Sequence, residues 1–541
     1  MQEIAQTAQG QEEGIRCDVQ EMLPNESYVL FTYERLKDVR IVYVPPKSLG
    51  NFGGDTDNFE WPRHTADFTL LRAYVSPNGD AAEYSPNNIP YQSKAFIKVQ
   101  KNGVSEHEMV FLLGFPGRTM RYAPTPRLKY SDEVAVPHMI HDFSKKLHFI
   151  SMFEEEAGMK LGNSKKGLGN ELKRSKGKLI MMRKLGLIEE RAREEEELCR
   201  LCPEAKVILQ RLNEIYAGIQ RSDNISNALD ACRGIYAGST LMATGHAINE
   251  CRVEQSKPDE CRESSYRERN LPFLCKRLGK RLMDVHIPHE VALVKDALEG
   301  LSTVKELQSK YKEIIILLEN VENAVKTSEM LKINNPQELL ASNEILNDPF
   351  VKCASILYET YKQDLDQTKA WISERDALFA KLLELQRNVL EEVIYPDCNG
   401  SLRISAGFVE GYKGADAVDY KPCTTLAGLY DKAMEAKLTL EEGNEFECPD
   451  RLYQMLPSFL DVPVCILYST DTVGGNSGSP VMNAKGEFVG INFDRQRQGL
   501  MNEFKWSEEY SRSIGVDVRY ILWLVGVYDG ATHLVDEILS G

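Results

Sequence analysis

No run of about 18 apolar residues occurs anywhere in the 541-residue chain, so no helix of the sequence is expected to cross a bilayer. Positive charge is in deficit. Lys and Arg total 65 against 81 Asp and Glu, a net charge of −16 at pH 7. Nucleic acid and anionic membrane surfaces both require a basic face, so neither is expected as the main partner. Zinc-type cysteine spacing is lacking too. Of the twelve cysteines only Cys199 and Cys202 form a C-x-x-C, and no second pair or H-x(3–5)-H follows. No metal and no cofactor is therefore expected, and the cysteines read as buried thiols with room for a few bridges. The opening MQEIAQTAQGQEEG is polar and acidic, without the apolar core of a signal peptide.

What is present is ordinary globular material, 42% hydrophobic and 27% charged. Its length predicts roughly three or four domains. The text falls into three zones. Residues 1–120 read as mostly β: Ser27–Tyr33, Val39–Val44 and Asp67–Val75 are rich in β-branched and aromatic residues. Met109–Leu113 runs into the break Gly114-Phe115-Pro116-Gly117. Residues 121–395 are poor in Gly and Pro and carry apolar residues at helical spacing, as in Leu179, Met182, Leu185, Leu187 and in Leu378, Leu382, Leu385, Leu390. Glu194–Glu197 within this zone reads as a solvated helix face. Residues 396–541 turn β again, with short strands at Val462–Tyr468, Pro480–Met482 and Phe488–Phe493. Residues 512–526 read as a strand leading into a helix, and Leu534–Leu539 as a last helical turn. β, helical block, β suggests one β domain interrupted by an insertion, or two β domains flanking a helical one.

The strongest chemical signal is Gly474-Gly475-Asn476-Ser477-Gly478-Ser479-Pro480. A nucleophilic serine needs exposure on a tight turn, a base and donors for an oxyanion. Gly475 lets its own N–H and that of Ser477 face one small hole, and Gly478 removes a side chain that would block approach. The block lies between two β runs, without the helix that follows a nucleophile elbow, which favours a β-barrel serine peptidase. A second block runs Gly53-Gly54-Asp55-Thr56-Asp57-Asn58-Phe59-Glu60-Trp61-Pro62-Arg63-His64-Thr65-Ala66-Asp67-Phe68. Asp67 is its candidate for the acid that orients a histidine.

Together these blocks resemble serine peptidase family forty-six, the dipeptidyl aminopeptidases. The resemblance continues through Gly114–Thr119, Tyr395-Pro396-Asp397 and Ser513–Tyr520. It implies an α+β fold, a chymotrypsin-like double β-barrel peptidase domain interrupted by a large α-helical domain, with the first barrel incomplete. It implies residues 1–120 as the remainder of the N-terminal barrel, 121–395 as a helical cap and 396–541 as the barrel carrying the nucleophile. By motif position, Ser477 is the nucleophile, Asp67 the orienting acid and Gly475 an oxyanion donor. Asn58, Asn163 (from Asn163-Ser164-Lys165-Lys166) and Asp494 would hold the substrate's free α-amine. Phe59 and Arg63 line the same site, Phe59 standing where the family has Trp, and Ala66 replaces a Gly beside Asp67. Arg495, after Asp494, implies a preference for Asp or Glu at P1, with Arg497 close enough to compete for that role. The implied partners are peptides with a free N-terminus, and a second copy in a homodimer. The family's setting is periplasmic or secreted.

The family's catalytic histidine belongs to a block upstream of the acid. Here the first histidine is His64, three residues before Asp67 and part of the W-P-R-H-T stretch itself. His107 follows the acid, and His138, His141, His148, His246, His286 and His289 lie in helical text, with His533 near the end. Three readings follow: a dipeptidyl-peptidase sequence that lacks its N-terminal segment and is inactive as it stands, a non-catalytic binder of peptide N-termini, and a structural helical scaffold.

Overall fold

The structure, a computed structural model, describes residues 4–5, 8, 14–24, 26–235, 237–391, 393–439 and 443–540. Helix and sheet are both abundant, and the chain divides into two compact units. The first comprises residues 1–123, 177–187 and 392–541, the second residues 124–176 and 188–391.

The strands of the first unit are β1 (Ile15–Leu23), β2 (Ser27–Glu34), β3 (Asp38–Tyr43), β4 (Leu70–Val75), β5 (Ile89–Pro90), β6 (Met109–Gly114), β7 (Arg403–Phe408), β8 (Tyr412–Ala415), β9 (Val418–Tyr420), β10 (Cys423–Thr425), β11 (Pro463–Tyr468), β12 (Pro480–Asn483), β13 (Phe488–Arg495) and β14 (Ser513–Asp517). Seven form one sheet in the order β10-β11-β14-β13-β12-β6-β7. β6 thus pairs with β12 and β7, far downstream in sequence. β3-β4-β5 make a separate three-stranded sheet, and β1-β2 and β8-β9 are hairpins. The expected strand from Asp67 starts only at Leu70. Residues 64–69 run without strand pairing, Ala66 N–H bonding to the Leu49 carbonyl.

One core lies between the large sheet and the second motif block. Leu49, Phe52, Trp61, Ala66 and Phe68 pack with Val464, Cys465, Leu467, Ile514 and Val516, and with the helix Leu426–Thr439 through Leu429 and Ala433. Ala66 is fully buried there, so the methyl beside Asp67 is core material. β11 and β14 are buried along nearly their whole length. β11 reads as an unbroken apolar run because both of its faces are covered, whereas β14 begins and ends on the buried polar residues Ser513 and Asp517.

The second unit is a set of helices, among them Val136–Ala157, Pro203–Cys232, Thr240–Gln255, Ile287–Thr303 and the 41-residue Pro349–Val389. Gly245 lets helix Thr240–Gln255 approach the backbone of Phe350, which a Cβ would meet at 2.7 Å. The predicted stripe on the long helix is real: Leu382 and Leu385 pack against Leu209 and Leu212, with Leu378 and Leu390 beside them. The four-glutamate run departs from expectation at one position. Glu194, Glu196 and Glu197 are exposed, but Glu195 is buried and accepts the Thr125 N–H at 2.7 Å, and burial raises its pKa. The helix starting at Thr125 has no side-chain cap of its own, so Glu195 satisfies one of its open amides. All twelve cysteines are thiols, Cys199 and Cys202 packing beside the Leu382 cluster.

Candidate functional site

The turn between β11 and β12 exposes Ser477. Gly475 has φ +104° and Gly478 φ +86°, a region that L side chains seldom adopt. A Cβ at Gly475 would also run into the Phe115 carbonyl and lie 2.7 Å from Gly117 N. The loop after β6 therefore sits directly against the turn, tied by Gly117 N–H to the Gly474 carbonyl at 2.7 Å. Beneath, Asn476 is buried and its side-chain oxygen accepts Val473 N–H at 3.0 Å. The Asn492 amide donates to the Asn476 carbonyl at 3.1 Å and accepts Tyr468 OH at 2.9 Å. These contacts fix the turn while leaving its outer amides open. Among the described residues the N–H groups of Gly475 and Ser477 donate to no protein acceptor. That is the arrangement an oxyanion requires.

Ser477 Oγ donates to the Phe493 carbonyl at 3.0 Å. The serine thus leans on β13, one residue before Asp494. Asp494 is the joint between the two motif blocks. Its Oδ2 accepts Arg63 Nη1 at 2.5 Å and Phe59 N–H at 3.1 Å, and its Oδ1 accepts Arg495 N–H at 2.8 Å. Both side chains of the Arg63–Asp494 pair are only 10% exposed. Arg63 also stacks over the Phe493 ring at 5.1 Å. Phe59, expected to line the site, is buried with φ +57°, and its main-chain N–H donates to Asp494.

The loop that presents Asn58 is held from outside its own motif. Glu445 accepts the Asp55 and Thr56 N–H groups at 2.9 and 3.0 Å. Asp57 pairs with Lys432 at 2.6 Å and fills the space a side chain at Gly53 would need. Asn58 is half-buried between these anchors. Neither Glu445 nor Lys432 lies in a recognisable motif, and nothing in the sequence marks them. Asp67 is exposed at the end of the buried segment 63–66. That segment is fastened to the large sheet: Thr424 Oγ1 donates to the Arg63 carbonyl at 2.7 Å, and Cys465 Sγ approaches the Thr65 carbonyl at 3.7 Å.

His64 is not a base for this serine. It is buried against the helix Leu426–Thr439, where a side chain at Gly428 would meet its Nε2. Burial, and then the Lys432 charge, push its pKa down to about 3. Arg495 is buried, whereas Arg497 is half exposed and paired with Glu60. Asn163 is exposed on the helix Met159–Lys184, in the part of it that belongs to the second unit. The N-x-x-K spacing recurs seven residues on, at Asn170-Glu171-Leu172-Lys173, and Asn170 is half-buried.

The family model for Peptidase S46 matches residues 1–540. The chain belongs to peptidase family S46. Among family S46 proteins, the Asp/Glu-specific dipeptidyl-peptidase of Shewanella putrefaciens is 30% identical across 97% of this chain and 78% of its own length. Dipeptidyl-peptidase 7 of Capnocytophaga gingivalis is 26% identical across 96% of this chain and 75% of its own length. The crystal structure of Porphyromonas endodontalis DPP11 with the dipeptide Arg-Asp superposes with a TM-score of 0.80 at 24% identity, covering 99% of this chain and 79% of that one. This last likeness shows the shared S46 fold of mixed helix and sheet. By family the chain is a peptidase of the dipeptidyl-peptidase kind, and the two sequence blocks that carry the S46 resemblance meet at Asp494.

Proposed function

We propose that this protein captures the free amino terminus of a peptide and presents the bond after its second residue to Ser477, as a serine-type dipeptidyl-peptidase preferring Asp or Glu at P1. The carrying observation is Asp494, pinned by Arg63 and Phe59 N–H next to the residue whose carbonyl holds Ser477 Oγ. An ammonium needs oxygen acceptors. Asp494 and Asn58 supply them. Anchoring the amine at a fixed distance from the nucleophile measures off two residues, so dipeptides leave.

In the chemical step Ser477 attacks the carbonyl, and the N–H groups of Gly475 and Ser477 receive the oxyanion. The hydroxyl proton must pass to an imidazole oriented by Asp67, and the same imidazole returns it to the leaving amine. Here that proton rests on the Phe493 carbonyl, and His64 is buried and neutral. A chain that offers Ser477 no imidazole would bind peptides and hydrolyse them very slowly. The same two observations favour a second reading, a relative that binds peptide N-termini without cleaving them. Arg495 reads the P1 carboxylate in either case. In keeping with the family, the catalytic strands would form a double barrel, with the helices as a cap, and the protein would work as a homodimer. Fluorophosphonate labelling decides the catalytic part: failure to label Ser477 in the full-length natural protein, with dipeptide binding intact, leaves only the binder. The P1 part falls if a panel of dipeptides shows Leu, Phe or Met bound more tightly than Asp and Glu.

A further inference from the structure

Tyr468 carries a hydroxyl into a place where a plain ring would pack as well. It is fully buried on β11, in one cluster with Val110, Leu112, Ile466, Val481 and Val489. A buried hydroxyl is unfavourable unless it is hydrogen-bonded, and this one donates to Asn492 Oδ1 at 2.9 Å. Gly515 makes room for it, since a Cβ there would lie 2.7 Å from the phenol oxygen. Burial pushes the phenol's pKa up, so it stays a donor. Asn492, buried on β13, passes the contact on: its Nδ2 donates to the Asn476 carbonyl at 3.1 Å. A carbonyl only accepts, so Nδ2 must face Asn476, which leaves Oδ1 for the phenol and fixes the amide one way round.

The Asn476 carbonyl and the Ser477 N–H belong to the same peptide group. In a trans peptide, as here, the two point in opposite directions. A donor that holds the carbonyl inward therefore aims the N–H outward. It also polarises the amide, so that its N–H donates more strongly. The neighbouring oxyanion amide is built alike. The Gly474 carbonyl, trans to the Gly475 N–H, accepts Gly117 N–H at 2.7 Å. The two locks differ in kind. The one on Gly474 is main chain, whereas the one on Asn476 combines Ser479 N–H at 3.0 Å with the Asn492 side chain. The main chain of Asn492 holds the turn separately. Its carbonyl accepts Gly478 N–H at 2.7 Å, and its N–H donates to the Ser479 carbonyl at 3.0 Å.

Resting on the reading that the Gly475 and Ser477 N–H groups receive the oxyanion, we propose that Tyr468 and Asn492 are positioning residues for that oxyanion. They form a buried chain of hydrogen bonds, phenol to side-chain amide to peptide carbonyl, whose far end is the Ser477 N–H. The chain aims and strengthens the second oxyanion donor. The course of the turn itself is secured by the main-chain contacts. Neither side chain needs to touch the peptide.

The test uses the full chain and needs no catalysis. The dipeptide Arg-Asp ends in an α-carboxylate, which puts a charged oxygen where the oxyanion forms; its C-terminal amide puts a neutral one there. By calorimetry the wild type should bind the acid about tenfold more tightly than the amide. Asn492→Ala should cut that ratio to about threefold or less, and Tyr468→Phe should bring it to a value between, with the amide's own Kd within about twofold of wild type. Nuclear magnetic resonance supplies a readout that a merely structural role would not move. Asn is followed by Ser only at Asn163-Ser164 and Asn476-Ser477, so isotopic labelling of the Asn carbonyl carbon and the Ser nitrogen isolates the peptide in question. The Ser477 N–H should move downfield when Arg-Asp binds, and by less in each variant. Tyr468→Phe removes one oxygen and carries the test if Asn492→Ala does not fold, judged by circular dichroism; if neither folds, the pair holds the turn instead of tuning it and the proposal falls. If the wild type discriminates and Ser477 responds, yet ratio and response are unchanged in the folded variants, the positioning role is wrong while the oxyanion reading stands. If the wild type binds acid and amide equally, or binds neither, or the Ser477 resonance stays put, the oxyanion reading fails and this proposal with it.

Discussion

Replacing Arg63 by Met tests the joint on which the site is built. Arg63 and Asp494 are each 10% exposed and 2.5 Å apart, so the substitution leaves a carboxylate buried without its cation. Breaking a buried pair from one side costs about 3–5 kcal/mol. Two donors remain to Asp494, the N–H groups of Phe59 and Arg495, which places the expected loss near the lower end, about 3 kcal/mol. Asp494→Asn strands the guanidinium instead and should cost a similar amount. The double variant removes both charges and should be less destabilised than the sum of the singles by about 2 kcal/mol or more. Urea unfolding followed by tryptophan fluorescence reads this well, because Trp61, Trp506 and Trp523 are in the first unit and only Trp371 is in the second. Single losses under about 1 kcal/mol, or strict additivity in the double variant, would refute the claim that this pair locks the two motif blocks together.

The glycines of the nucleophile turn should differ in a defined way. Gly475→Ala meets the Phe115 carbonyl and Gly117 N in addition to its φ of +104°, whereas Gly478→Ala, at φ +86°, meets open space. We expect the first to destabilise by about 3 kcal/mol or more and the second by about 1 kcal/mol, read from urea midpoints; equal effects would contradict the packing of the loop after β6 against the turn. The buried imidazole predicts a pH dependence. His64 has a folded pKa of about 3, below its unfolded value near 6.5, so the unfolded chain binds the extra proton first. Stability from this group is complete above pH 6.5 and falls as pH drops toward 3, by about 2 kcal/mol between pH 7 and pH 5. His64→Gln should remove that share of the acid sensitivity, and an unchanged pH slope in the variant would show that His64 is solvated.

Both motif blocks were legible because each depends on backbone geometry only certain residues permit. Gly475 and Gly478 carry positive φ values, and Gly53 leaves room for Asp57. The strands at β2, β3, β11, β12 and β13 were legible as β-branched and aromatic runs, and the long helix as a leucine stripe. Sheet partnership was not legible. The pairing of β6 with β12 and β7 joins residues hundreds apart, and nothing in a local pattern records it. Glu195 shows the limit of charge patterning: four identical letters hid the one that turns inward to hold Thr125 N–H. The supports of the site escaped for the same reason. Glu445 and Lys432 act through long-range contacts, so each looks like any other surface charge in the text. Asp494 was placed by its motif position, but its pairing with Arg63 rests on tertiary contact alone.

The most direct measurement of the central claim compares the affinity of the full chain for Arg-Asp with that for the same dipeptide acetylated on its amine. If Asn58 and Asp494 grip a free ammonium, acetylation removes the charge and adds bulk at the anchor, and binding should weaken by about a hundredfold or more. Equal affinity for the two peptides would mean that this groove does not recognise amino termini.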